Sequence, residues 1–172
     1  MASSSYQIVE YDADWPAQFE QERALVASSL GIDEGLVVHI GSTAVPGLAA
    51  KPIIDMMVGI PTIEGAGPSV ASLEGIGFEH RGETVPGTLY IRKATPRRYN
   101  LHLTKHNGAF WADHLLFRDH LRAHSEARER YERLKRGLMS RLAADPPAYN
   151  EEKSGFIRAT VADARGELES RA

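Results

Sequence analysis

Between Pro52 and Pro61 runs Ile53-Ile54-Asp55-Met56-Met57-Val58-Gly59-Ile60, the most hydrophobic stretch of the chain, with a single acid inside it. A continuous apolar run of this length between two prolines reads as a strand buried on both faces. Such a strand needs layers on either side, which constrains the fold more than any other feature. A carboxylate there is costly unless it is paired, hydrogen-bonded or bound to a metal. Asp55 is therefore either a strand-end acid satisfied by backbone amides or Lys51, or a functional group.

The flanking pattern supplies the layers. Asp14 before Trp15-Pro16 predicts a capped helix running to about Leu30 and stopping at Gly31. Leu36–Ile40 reads as a short strand ended by Gly41-Ser42. Helix is expected from Pro68 to Glu74, and strands at Phe78–Arg81, Thr88–Lys93 and Tyr99–Thr104. From Trp111 the apolar residues recur at helical spacing until Asp145-Pro146-Pro147 breaks the pattern, and a last helix follows to about Leu168. Tyr6–Tyr11 is a short strand or an extended lead-in. The expected fold class is α+β, close to α/β: a mixed sheet flanked by helices, with a helical C-terminal part. Residues 1–108 would form the core and 109–172 the helical part packed on it as one compact unit.

The 172 residues carry a net charge of −3 and no cysteine. Disulfides, thiolate metal sites and cysteine catalysis are excluded. Nothing calls for nucleic acid or a membrane surface as partner. Met1–Ser5 lacks a basic region followed by an apolar core, and no run is long enough to span a bilayer. The expectation is a soluble, cytoplasmic protein. Charge is uneven: residues 84–106 hold Arg92, Lys93, Arg97, Arg98 and Lys105 with no acid. That stretch is either a phosphate-binding surface or a solvated hairpin.

The segment from His39 to Asp55 carries the chemistry. Gly41 lets the backbone approach an anion closely, the following amides can point into the site, and Ser42 adds a hydroxyl. Lys51 adds a cation at the same edge. His39 and His102 are candidate partners of Asp55, either as ligands or as acid and base, or else packed strand residues. His120 and His124 have one-turn spacing and read as helix surface and packing, as do His106 and His114. Arg118 and Arg122 either grip a phosphate or carboxylate or pair with Asp119. Trp15 and Trp111 read as core or rim aromatics.

The run HIGSTAVPGLAAKPIIDMMV, residues 39–58, is similar to the hallmark segment of the GrpB-like family. Further matches follow in order: Tyr90-Ile-Arg92-Lys93, Leu101-His-Leu103, Phe117-Arg-Asp-His-Leu-Arg122, Tyr131-x-x-Leu-Lys135 and Tyr149-x-x-x-Lys153-x-x-Phe156. Together they cover nearly the whole chain. The resemblance implies a nucleotidyltransferase-like fold. In that superfamily a Gly-Ser pair follows one strand, the next strand bears two acids on one face, and a later strand bears a third, together holding Mg²⁺. Asp55 matches the first acid, Met57 stands at the second, and the later strand offers His102 beside Asn100.

The resemblance thus implies a protein that transfers a nucleotidyl or related phosphoryl group to a small-molecule acceptor. Its ligand would be a nucleotide or another phosphorylated small molecule, held by Gly41, Ser42, Lys51, Arg92, Arg97, Lys105, Arg118 and Lys153. Asp55 and His102 would be catalytic. Asp55, His39 and His102 would hold a divalent metal, Mg²⁺ or Mn²⁺, with Zn²⁺ an option. Two alternatives stand beside it: a non-catalytic nucleotide- or coenzyme-binding module, and an acid–base or metal enzyme using His39, Asp55 and His102 without a nucleotide. GrpB-like segments joined to dephospho-coenzyme A kinase favour the first of these.

Overall fold

The computed structural model describes residues 7–142 and 145–170, so Tyr6, the start of the expected lead-in, lies outside the described residues. Val9 pairs with Ala50 in an isolated antiparallel bridge. The sheet has five strands: β1 (Val37–Ile40), β2 (Ile54–Ile60), β3 (Glu79–Val85), β4 (Thr88–Lys93) and β5 (Tyr99–Lys105). Their order is β1-β2-β5-β4-β3, with β2 and β5 parallel and every other pair antiparallel. The hydrophobic run thus becomes an interior strand. Among the described residues five α-helices accompany the sheet: α1 (Trp15–Leu30), α2 (Gly67–Glu74), α3 (Ala109–Ala123), α4 (Ser125–Leu142) and α5 (Pro146–Glu169). Among the described residues no helix is long and apolar enough to cross a membrane.

The period of two along the strands sorts their side chains onto two faces. Ile54, Met56, Val58, Leu101, Leu103 and Ile91 form one core with Trp15, Phe19 and Val26 of α1 and Leu73 of α2. The opposite face carries Ile40, Met57 and, from α3, the buried Trp111. Gly59 lets α3 come this close: a Cβ there would lie 2.9 Å from the Trp111 ring. Both tryptophans are core residues. A third core joins α3, α4 and α5 through Phe117, Leu121, Tyr131 and Val161, and takes in Val45 and Leu48 of the β1–β2 loop.

Three local expectations change. Asp14 does not cap α1 with its side chain; Asp12 instead accepts the Asp14 amide at 2.9 Å. The helical pattern after Trp111 is two helices, because His124 adopts an extended conformation between α3 and α4. The strand expected over Phe78–Arg81 starts at Glu79 and continues to Val85. At the head of α5, Asp145 does cap, accepting the Ala148 amide at 3.1 Å. One charged pair is built into the core: Lys93 Nζ donates to Glu22 Oε1 at 2.7 Å, and burial makes each the other's necessary partner.

Candidate functional site

The site is assembled by strand register. Ile40 pairs with Asp55, Asp55 with Asn100, and Met57 with His102, so these residues share the face that α3 covers. Gly41 ends β1 with φ 71° and ψ −169°, a conformation open essentially to glycine. A Cβ at Gly41 would lie 2.7 Å from Asp55 Oδ2. The missing side chain therefore lets the loop backbone lie directly against the carboxylate. Ser42–Ala44 then forms one 3-10 turn.

Asp55 is held from two sides. Asn100 Nδ2 donates to its Oδ1 at 2.8 Å, and the Tyr90 hydroxyl donates to Asn100 Oδ1 at 2.8 Å, fixing the amide's orientation. Burial pushes the Asp55 carboxyl above its usual range, opposed by the Asn100 hydrogen bond and by Lys153, Lys51 and Lys135. Three ammonium groups from three elements thus surround one carboxylate. Lys51 comes from the β1–β2 loop and lies 4.2 Å from the centre of the Tyr149 ring. Lys153 comes from α5, 5.5 Å from the same ring. Lys135 comes from α4, where Nζ donates to Ser42 Oγ at 3.0 Å and to the Ala49 carbonyl at 2.5 Å.

Lys135 is only 3% exposed. Burial, with Lys153 and Arg136 nearby, brings its pKa down to about 7, against the pull of Glu132 and Asp55. Lys51 and Lys153 are lowered too, burial being the largest cause in both. One turn before Lys135, Glu132 accepts the Ala49 amide at 3.1 Å, so α4 grips both polar groups of that loop residue. The phenol of Tyr131 is hydrogen-bonded to Ser42, and burial pushes its ionisation up.

Two cavities meet at Asp55. One, of about 220 Å³, is lined by Ser42, Lys51, Asp55, Asn100, Lys135, Tyr149 and Lys153. The other, of about 200 Å³, is lined by Gly41, Asp55, His102, His114, Tyr131 and Lys153, among others. Lys51, Ile53 and Asn100 also line a third, of about 260 Å³, which continues over Tyr90 to Arg92, Lys93 and Arg98. The result is a basic trough with the half-buried Asp55 near its inner end and Asp113 on the wall of the inner cavity.

Of the residues expected from sequence, Gly41, Ser42, Lys51, Asp55 and Lys153 are brought together, with Arg92 at the outer end of the trough. His102 shares the inner cavity with Asp55, packed among the rings of Tyr90, Phe110 and His114. Burial, with His114 adding to it, lowers its pKa to about 4, so it is neutral near pH 7, and among the described residues its Nδ1 has no hydrogen-bond partner.

Others are placed elsewhere. His39 pairs in register with Met56, not Asp55, so its side chain lies on the other face of the sheet. It stacks on Phe19, its Nε2 lies 2.9 Å from Thr43 Oγ1, and burial with Arg122 and Arg118 brings its pKa to about 3. The expected metal set of His39, Asp55 and His102 is therefore not assembled. Lys105 pairs with Ile60 at the far end of the parallel strands, five residues or about 17 Å from the level of Asp55. Arg97 is exposed and does not line the trough; its neighbour Arg98 does. Arg118 donates to the His39 carbonyl at 3.1 Å and pairs with Asp119, while Arg122 donates to the Ala44 carbonyl at 2.8 Å. Both arginines hold α3 to the backbone around the Gly-Ser turn and do not face the trough.

Lys135, Tyr149 and Asn100 belong to the site but were not singled out as site residues. The signal for Lys135 was present: a lysine in the buried stripe of Tyr131, Leu134 and Leu138. Asp55 stands at the first acid position of a two-metal centre, but Met57 is buried against Ile40 and Trp111, and the next strand offers an amide and a neutral imidazole. Among the described residues no set of three ligand atoms converges around Asp55, and the charges facing it are ammoniums. These residues do not fit a two-metal centre.

The family model described as GrpB protein matches residues 5–163. A UPF0157 protein of Streptomyces coelicolor is 39% identical over 151 residues, covering 87% of this chain and 79% of the relative. A dephospho-CoA kinase of Mycolicibacterium paratuberculosis is 27% identical over 92% of this chain but only 46% of its own length. Among solved structures, the conserved protein GrpB from Enterococcus faecalis superposes with TM-score 0.83 at 33% identity, covering 94% of this chain and 99% of that one. Cid1 poly(U) polymerase with MgGTP bound gives TM-score 0.55 at 14% identity, over 83% of this chain and 47% of that one, which shows a shared nucleotidyltransferase-type fold and no more. With the family model matched over most of the chain, and close relatives covered over most of theirs, the chain belongs to the GrpB protein family.

Proposed function

We propose that this protein binds a nucleotide or another phosphorylated small molecule in the basic trough and transfers a nucleotidyl or related phosphoryl group to a small acceptor. The observation that carries the reading is that Lys51, Lys135 and Lys153 line one cavity with a half-buried carboxylate beside a glycine turn. Three partly desolvated lysines around a single carboxylate leave excess positive charge, and phosphate oxygens relieve it through charge-assisted hydrogen bonds. In the transfer, an acceptor oxygen attacks phosphorus as the bond to the leaving phosphate or pyrophosphate breaks. The electrons of the broken bond stay on the bridging oxygen of the leaving group, where the lysines stabilise them, and the acceptor's proton passes to Asp55, whose raised pKa suits a base.

A second reading rests on Met57: a transferase scaffold whose second acid position is packed with a methionine binds the nucleotide without turning it over. A thermal-shift screen separates these readings from a site that binds no phosphate. Wild type and Lys153→Ala are melted with ATP, CTP, GTP, UTP and coenzyme A precursors, with and without Mg²⁺. We expect one ligand to raise the melting temperature of wild type, with affinity about tenfold weaker in Lys153→Ala. Pyrophosphate or phosphate release by wild type then favours transfer; saturable binding without release favours the module. No shift with any of them at millimolar concentration would remove both.

A further inference from the structure

A second constellation lies away from the trough, where the end of α3 meets the last turns of α5. His120 and His124 come from one turn of chain and Glu167 from α5, and their candidate ligand atoms all lie within 4.8 Å of one another. His124 Nε2 is 3.4 Å from Glu167 Oε1, and His120 Nδ1 is 3.8 Å from Glu167 Oε2. Ligands of a tetrahedral zinc ion, each at about 2.0–2.1 Å, stand about 3.3 Å apart. The two imidazole–carboxylate separations are close to that spacing, and the set of three ligand atoms, one from each residue, lies within 4.8 Å.

The hydrogen bonding around the imidazoles points the same way. His124 Nδ1 lies 3.0 Å from the His120 carbonyl, to which it can only donate. Nε2 is then the nitrogen that faces the Glu167 carboxylate, 3.4 Å from Oε1. A backbone carbonyl fixing one imidazole nitrogen so that the other is free to ligate is the usual support of a metal-bound histidine. The two rings stack at 4.0 Å with an interplanar angle of 21°, so binding one ion requires His124, the more exposed of the two, to swing out of the stack. The group opens onto a cleft also lined by Arg130 and by Asp163, one turn before Glu167, and this leaves room for a water as fourth ligand.

We propose that His120, His124 and Glu167 form a site for a divalent transition-metal ion of the zinc type, which ties α5 to α3. Two imidazoles select such an ion over Mg²⁺. The tie has a structural consequence, because α5 also carries Tyr149 and Lys153, so the ion fixes the helix that closes one side of the trough.

The test uses the full chain without an affinity tag, stripped with chelator. Co²⁺ titration of wild type is expected to give the visible absorption of a four-coordinate nitrogen–oxygen site at one equivalent. Zn²⁺ at a hundredfold excess over its dissociation constant is expected to raise the melting temperature by about 5 °C or more. In His124→Ala and Glu167→Gln, both at half-exposed side chains, the metal-free melting temperature should stay close to wild type while affinity falls at least about tenfold. Absence of the absorption in wild type, or equal affinity in the variants, overturns the proposal.

Discussion

Replacing Lys135 with methionine is expected to weaken binding of the phosphorylated ligand on the order of 100-fold, close to 3 kcal/mol, while changing stability near pH 7 by no more than about 1 kcal/mol. The two effects separate because the ammonium is costly to the fold and valuable to the ligand. Methionine keeps the length and volume that fill the space under Ser42 and Ala49. It strands the Ala49 carbonyl, which Lys135 Nζ meets at 2.5 Å. It also removes a buried positive charge beside Lys153, and these changes oppose each other. Calorimetric titration and urea unfolding of the same variant measure the two quantities.

The pH dependence has a definite sign. The pKa of Lys135 is lowered from 10.5 to about 7 in the fold. Between those values the unfolded chain holds a proton that the folded chain has released, so this group makes stability rise with pH across that window. Below about pH 7 both states are protonated and the full cost of the buried charge is present. Wild type should therefore gain stability relative to Lys135→Met between pH 7 and pH 9.5. Ligand binding runs the opposite way: an anion favours the protonated amine, so affinity should fall as pH rises beyond 7, and this slope should flatten in the variant.

The second large effect is expected from Gly41→Ala, a loss of about 3 kcal/mol, or about 6–12 °C in melting temperature. The backbone there has φ 71° and ψ −169°, and the new Cβ would meet Asp55 Oδ2 at 2.7 Å. Strain and clash coincide, and relief requires moving either the Gly-Ser turn or the carboxylate. Gly47→Ala is the internal comparison: φ is 78°, but nothing lies within 4 Å of the added atom, so only backbone strain of about 1 kcal/mol is expected. Circular-dichroism melts of the two variants distinguish the contribution of the close approach from that of the conformation.

Much of the architecture was legible because its signals are local. Gly31 ends α1 in a left-handed conformation, Pro52 and Pro61 bracket β2, and the Gly41 turn declares itself by composition. The site was only partly legible because it depends on relationships between elements. Whether His39 or Ile40 opposes Asp55 is a matter of one residue in register, and a shift of one sends the side chain to the other face. That single step removes His39 from the Asp55 cavity. Lys105 fails for a similar reason: the trough lies at the N-terminal ends of β2 and β5, and the sequence does not show which end the helices close. Arg118 reaches backbone carbonyls instead of a ligand because α3 lies against the β1 turn, a docking set by tertiary packing. The boundary at His124 was hidden because no glycine or proline marks it.

We propose that Lys51, Lys135, Lys153 and the Gly-Ser turn form one phosphate site around Asp55. A crystal structure of wild type with a non-hydrolysable analogue of whichever nucleotide stabilises it best decides this. Phosphate oxygens are expected within hydrogen-bond distance of Lys51, Lys135, Lys153 and Ser42, with the base or remaining moiety extending along Tyr90 toward Arg92 and Arg98. Phosphates bound elsewhere, with the Asp55 cavities holding only water, would contradict it.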